Sequence, residues 1–223
     1  MSVQDPTRLR LLQAAGKEFA DKGFELARIR TICERAEANV AAVNYHFGDK
    51  ERLYVDSVVY AHQCGHDEAA REALEFDDPA QALRAFIHQF LQSVLAIDNP
   101  DDWRHRLILR EMLAPSQASE VLIRESIQPR FEFLKRILGK ICPEADERKR
   151  SALCFSVIGQ CLHYKIARRF AEKLIGPENF RELDVDYLTE HISTFCLAAM
   201  GAIPPLGPSG EALVDNSETV PTK

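Results

Sequence analysis

The sequence predicts an all-α fold, with a small N-terminal three-helix domain followed by a larger helical bundle. Three observations carry this. Apolar residues recur at three- and four-residue spacing through most of the chain. Strand-like alternation of apolar and polar residues is almost absent. Pro79, Pro100, Pro115, Pro143 and Pro177 punctuate the second part at intervals suited to helices. With 223 residues, 46% of them hydrophobic, the chain exceeds one minimal domain and can bury a substantial core.

The first helix is expected from Pro6, suited to a first helical turn, to Asp21, stopped by Gly23. Its buried stripe would be Leu9, Leu12, Ala15, Phe19 and Ala20. The second runs from Ile29 to Ala36, with Ile29, Ile32, Cys33 and Ala36 on one apolar stripe and Arg28, Arg30 and Arg35 outside it. Asn39 is placed to cap a third helix, Val40 to Phe47, by accepting a hydrogen bond from a first-turn amide. Val43 and Phe47, four apart, would face the second helix and leave Val40, Ala42, Asn44, Tyr45 and His46 outward. Two short helices across a tight turn read as helix-turn-helix, and the outward side chains stand where base edges are met.

A long helix should begin at Asp49 or Lys50 and reach about Ala73, with Leu53, Val55, Val58, Val59 and Tyr60 on its apolar side. Further helices are expected at 80–98, 102–114, 117–140, 144–174 and 185–201, with a kink at Pro129. Beyond Ile203 the chain is rich in proline, glycine and polar residues and reads as a disordered tail. The expected domains are therefore 1–50, 51–202 and 203–223.

Net charge is −6, but its distribution matters more than its sum. Residues 1–53 hold nine basic and eight acidic side chains, a balance of +1, so the rest of the chain carries −7. Nucleic-acid contacts must then be local rather than spread over a basic surface. The six cysteines, with no CxxC pair, suit reduced thiols rather than a disulfide framework or zinc ribbon. With no signal-like N-terminus and no apolar run long enough to span a bilayer, the expectation is a cytoplasmic protein with no membrane association.

The N-terminal part resembles the DNA-binding domain of the TetR/AcrR transcription regulators. The likeness rests on Thr7, Arg8, Leu11, Leu12, Ala14, Ala15, Phe19, Ala20, Gly23 and Phe24, then on Ala36, Tyr45, His46, Phe47, Gly48, Lys50, Glu51 and Leu53. The string NVAAVNYHFGDKERLY and the distant REMLAPS at Arg110 to Ser116 are similar to the CecR-like subgroup. Two departures stand out. Glu37 occupies the turn position where glycine is usual, which costs on the order of 1 kcal/mol if the backbone is left-handed and sets a negative charge near phosphates. Ala27 and Arg28 stand where a Ser or Thr usually caps the second helix.

The resemblance implies a transcriptional regulator with no enzymatic activity and no cofactor: a homodimeric, ligand-responsive repressor that reads a palindromic operator in double-stranded DNA and is released by a small-molecule effector. The alternative is a small-molecule sensor with weakened DNA binding, motivated by Glu37. Arg28, Arg30 and Lys50, with the Arg8 and Arg10 region, are the candidate phosphate contacts, and Tyr45 and His46 add neutral donors. Asn44 suits an adenine edge, Val40 and Ala42 suit thymine methyls, and Asn39 sets the helix start. Dimerisation is expected through the helices near 144–174 and 185–201, the first apolar around much of its circumference and the second rich in small residues. The candidate effector residues are Phe86, Phe90, Trp103, Arg106, Arg110, Met112, His163 and Tyr164, an aromatic set with a few polar anchors. Arg110 and Glu111 serve equally well to brace the bundle. His62, Cys64 and His66 lack a third ligand on the helix face the two histidines share, so no metal site is expected. Nothing resembles a phosphate-binding glycine loop, a nucleophile elbow or a catalytic triad.

Overall fold

The computed structural model describes residues 5–63, 76–95 and 102–204. Among these the regular secondary structure is entirely helical. In chain order the helices are α1 Pro6–Leu26, α2 Ile29–Arg35, α3 Val40–Phe47, α4 Lys50–Gln63, α5 Pro79–Leu95, α6 Trp103–Leu113, α7 Gln117–Leu122, a π-helical turn Ile123–Ile127, α8 Gln128–Ile141, α9 Glu147–Ile166, α10 Arg168–Ile175, α11 Pro177–Arg181 and α12 Val185–Ala199. The far half of the long helix expected to reach Ala73, the Cys64 and His66 positions, and the tail from 205 onward lie outside the described residues.

Contacts group the chain into two compact units, Met1–Glu68 with Ala96–Glu132, and Ala69–Leu95 with Phe133–Lys223. The grouping does not follow chain order: α6 and α7 pack with the first four helices.

In the first unit α1 is the central element, packed against α2, α4 and α6. Asp5 caps it by accepting from the Thr7 amide at 2.8 Å, and Pro6 fills its first turn. Because neighbours cover it on several sides, its buried set is wider than one stripe. Leu11 and Ala14 join Leu12, Ala15, Phe19 and Ala20 in the core, while Leu9 is only half-buried. Gly23, at φ 75 and ψ 171, breaks the helical path where the sequence placed the stop, and one further turn follows it. Tyr54 closes the core from α4, its ring edge-on to Phe19 at 4.9 Å and to Phe24 at 5.3 Å.

In the second unit α5 packs against α9 and α12. Leu83, Ile87, Leu91, Leu134, Leu138, Leu188 and Ile192 are buried there. Two expectations are corrected. The helix read across 117–140 contains a π-helical turn, in which the Gln128 amide reaches back to the Ile123 carbonyl. Pro129 supplies no amide for the carbonyl four residues earlier and crowds it, so the irregularity falls in the turn before the proline rather than at it. The helix read across 144–174 begins at Glu147 behind the Asp146 cap and divides at Ala167, whose ψ of 1 ends α9 and starts α10.

Among the described residues no helix is long and apolar enough to cross a membrane, and no cluster of three histidine, cysteine or acidic side chains is arranged to hold a metal.

Candidate nucleic-acid interface

The candidate recognition element is α3, and its geometry is set by its two ends. Asn39 accepts from the Ala42 amide at 2.8 Å, satisfying one of the exposed donors of the first turn. Gly48, at φ 82, closes the other end, its amide bonded to the Asn44 carbonyl. Between them Val43 and Phe47 are buried in the first unit's core, a burial worth about 1.5–3 kcal/mol for each side chain. The opposite face is open: Tyr45 is 84% exposed, Val40 is 49% exposed and Asn44 is also exposed.

Two neighbours exchange roles relative to the sequence reading. Ala42 is half-buried against the core, and Ala41 is the exposed one. The correction follows from packing, because α3 touches α1 and α4 as well as α2 and so hides a wider arc than one facing helix would. His46 is also turned inward, with its side chain only 10% exposed and Nε2 3.7 Å from the Asp5 carboxylate. Asp5 is thus a tie between the start of α1 and the recognition helix. The Thr7 amide holds its carboxyl below the usual carboxylate range, and His46 adds to that effect.

The turn before α3 is a Schellman arrangement: the Ala38 amide bonds the Cys33 carbonyl at 3.0 Å and the Glu37 amide bonds that of Glu34 at 3.4 Å. It requires a left-handed residue at its centre, and Glu37 supplies one at φ 50, the single non-glycine with positive φ among the described residues. Replacing Glu37 with glycine should therefore raise stability by about 1 kcal/mol, read as an increased denaturation midpoint. A variant no more stable than the parent would show that the turn carries no strain. Arg28 begins α2 with no side-chain cap, as the missing Ser or Thr implied.

Phosphate candidates surround α3. Lys50, at the start of α4, donates to the Glu25 carbonyl at 3.3 Å and sits 4.7 Å over the Phe24 ring, so it also fastens α4 to the end of α1. Arg30 is highly exposed and pairs with Glu34 one turn on. Arg52 was absent from the sequence-derived contact set, whereas Arg8 belonged to it; both pair with Asp56, at 3.1 and 2.7 Å, and both remain partly exposed. The spacing of Arg52 and Asp56 was readable as a helical pair, but the approach of Arg8 across 48 residues was not.

The residues expected to meet an effector fall in both units. In the first unit Trp103 is buried and stacked on Tyr60, at 6.4 Å and 14°. Arg106 bonds Asp21 at 2.7 Å and lines the same cleft as Trp103. Arg110 lies over Gly23, and Met112 is exposed. In the second unit the Phe86 and Phe90 rings stack at 6.0 Å, Phe133 lies 6.3 Å from Phe86, and His163 meets Tyr164 edge-on.

Glu111 of the REMLAPS segment is 1% exposed, and its carboxylate collects four hydrogen bonds. They come from the Tyr54 hydroxyl at 2.6 Å, the Ser116 amide and hydroxyl at 2.8 Å each, and the Ser119 hydroxyl at 2.6 Å. Burial alone would raise its pKa, but the donors outweigh it and hold the carboxyl below the usual range. The Tyr54 phenol moves upward through burial and through this same carboxylate. The motif is a structural clasp joining α4, α6 and the start of α7.

Comparison with known proteins agrees with this architecture. Residues 11–56 match the family profile described as bacterial regulatory proteins of the tetR family. Residues 79–200, more than half of the chain, match the C-terminal domain of the HTH-type transcriptional dual regulator CecR. The chain is 24% identical over 199 residues to CecR of Shigella flexneri, covering 85% of this chain and 89% of that protein. It is 31% identical over 133 residues to the transcriptional repressor NicS of Pseudomonas putida, covering 56% of this chain but only 63% of NicS. The fold is shared with an HlyIIR variant, at TM-score 0.59 and 24% identity over 85% of this chain and 96% of the other. It is shared also with AibR, crystallised with isovaleryl coenzyme A and operator DNA, at TM-score 0.60 and 14% identity over 86% and 97%. A capped, outward-facing recognition helix, a matching N-terminal profile and a matching C-terminal profile converge: the chain belongs to the TetR family of bacterial transcriptional regulators, which are not enzymes, and is of the CecR-like type.

Proposed function

We propose that this protein is a dimeric, ligand-responsive repressor that reads a palindromic operator and is released when a small molecule binds. The observation that carries the reading is α3 itself, anchored by Val43 and Phe47 and presenting Val40, Ala41, Asn44 and Tyr45 to solvent. Asn44 would hydrogen-bond an adenine edge and the Val40 methyls would meet thymine, while Ala42, half-buried, would contribute at its edge. Tyr45, Lys50, Arg28 and Arg30 would hold phosphates, and His46 would keep the helix in register through Asp5.

Two-fold pairing supplies the second head. Phe155 on α9 and Tyr187 and Phe195 on α12 are large apolar side chains left exposed, which supports an interface through these helices. In functional terms, 1–50 would be the reading head and 51–202 the effector and dimerisation part. The effector would be met in the second unit by aromatic side chains such as Phe86, Phe90 and Tyr164, with His163 as a polar anchor.

The test is a mobility shift and footprint on the promoter DNA flanking the protein's own gene, with a salt titration. A protected palindrome whose affinity falls steeply with salt is expected. Lys50→Ala should weaken binding uniformly across sequences and lower the salt slope by about 1. Flat, sequence-blind or absent binding by the parent protein would sink the repressor reading. It would favour the second one, a small-molecule sensor with a weakened head, for which the left-handed, acidic Glu37 is the specific observation.

A further inference from the structure

A cleft of about 760 Å³ runs along the outer face of α1 in the first unit. Its floor is one helical stripe that includes Arg10, Ala14 and Lys17, and the end of α2 with the following turn forms one wall. The first turn of α6 forms the other, bringing in Trp103 and Arg106. Four cations line it against two carboxylates, and the way they pair decides what the cleft can hold. Arg106 is bonded to Asp21 at 2.7 Å, and Arg35 faces the buried Glu18 at 3.0 Å. Arg10 gives only its Nε to the Ala36 carbonyl, at 3.1 Å, so the two terminal nitrogens of its guanidinium remain available. Among the described residues neither Arg10 nor Lys17 forms an ion pair. They stand seven residues apart on α1, or roughly 10 Å along its axis.

We propose that this cleft binds a small polyanion carrying phosphate groups. A guanidinium fork and an ammonium point charge are the two side-chain chemistries best suited to phosphate oxygens. Their separation along one groove favours a ligand with more than one anionic centre over a single ion. Glu37 at one end and Asp21 at the other would oppose a continuous DNA backbone laid along the groove, whereas a compact ligand fits between them. A ligand there would touch Arg10, which holds the Ala36 carbonyl, and so would bear on the turn that introduces α3.

Trp103 is the chain's single tryptophan and forms part of the cleft wall, so the protein carries its own reporter. Inorganic tripolyphosphate would be titrated into the full chain without DNA at constant ionic strength, followed by Trp103 fluorescence and by calorimetry. Saturable binding is expected, with Kd raised roughly tenfold or more in Arg10→Gln and in Lys17→Gln, the loss typical of a charge-assisted hydrogen bond, and with melting unchanged in Lys17→Gln, whose side chain is exposed. A response no larger than that of sodium chloride at matched ionic strength would overturn the proposal, as would saturable binding indifferent to both substitutions. Weakened DNA binding in these variants without any tripolyphosphate binding by the parent would assign the two cations to the DNA backbone and overturn it equally.

Discussion

Glu111→Ala should destabilise the protein by about 3 kcal/mol, because it leaves several buried donors without an acceptor rather than removing one bond. The Tyr54 hydroxyl, itself buried in the core of the first unit, loses its partner, and the Ser116 and Ser119 hydroxyls and the Ser116 amide lose the carboxylate that gathers them. Tyr54→Phe is the control. It removes a donor and leaves the carboxylate with three bonds, so its cost should be nearer 1 kcal/mol. Acid provides an independent check. The folded-state pKa of Glu111 lies below its unfolded value, so the charged form's contribution is present above the ordinary glutamate value of about 4.3 and is lost as pH falls through the lower folded value. Chemical denaturation from neutral pH downward should show that decline in the parent and a shallower one in Glu111→Gln. Equal pH slopes in the two proteins would show that Glu111 is not the group responsible.

This clasp also marks the limit of what the sequence discloses. The α3 helix was legible because its signals are local: an Asn cap, an apolar pair four residues apart and a closing glycine all lie within ten residues. The left-handed backbone at Glu37 was expected from the family resemblance, which places glycine at that turn, rather than from a signal in the neighbouring residues. Glu111 shows the opposite case. Its partner Tyr54 is 57 residues away, and nothing near Arg110 to Ser116 announces that a carboxylate there will be buried and fully bonded. The exposure of Ala41 and the burial of Ala42 depended on how many helices touch α3, and the pairing of Arg106 with Asp21 spans 85 residues. Helical period says which side chains share a face, but not how many neighbours that face has. Trp103 shows the same limit: it was chosen as an aromatic at a suitable interval, and the structure packs it against Gly16 and Tyr60.

Gly16→Ala should cost about 3 kcal/mol or more, an unusual penalty for a substitution that ordinarily favours a helix by roughly 1 kcal/mol. Gly16 lies within α1, where no positive φ calls for glycine; what calls for it is the Trp103 ring, since a methyl group there would stand 1.9 Å from Cζ3 and 2.5 Å from two further ring atoms. The ring cannot swing aside at little cost, because Tyr60 stacks parallel to its face and Trp103 is itself in the buried core. Relief must then come from separating α1 and α6, which would also stretch the Arg106 to Asp21 bond about one turn further along the same contact. Gly16→Ala should accordingly show a lower melting temperature and a red-shifted Trp103 emission as water reaches the indole. The double variant Gly16→Ala with Trp103→Leu should recover part of the loss, because a smaller side chain leaves room for the methyl group. A single variant as stable as the parent, with unchanged emission, would show that α1 and α6 do not pack this closely. A double variant no better than the sum of its parts would show that the cost of the methyl group arises elsewhere on α1.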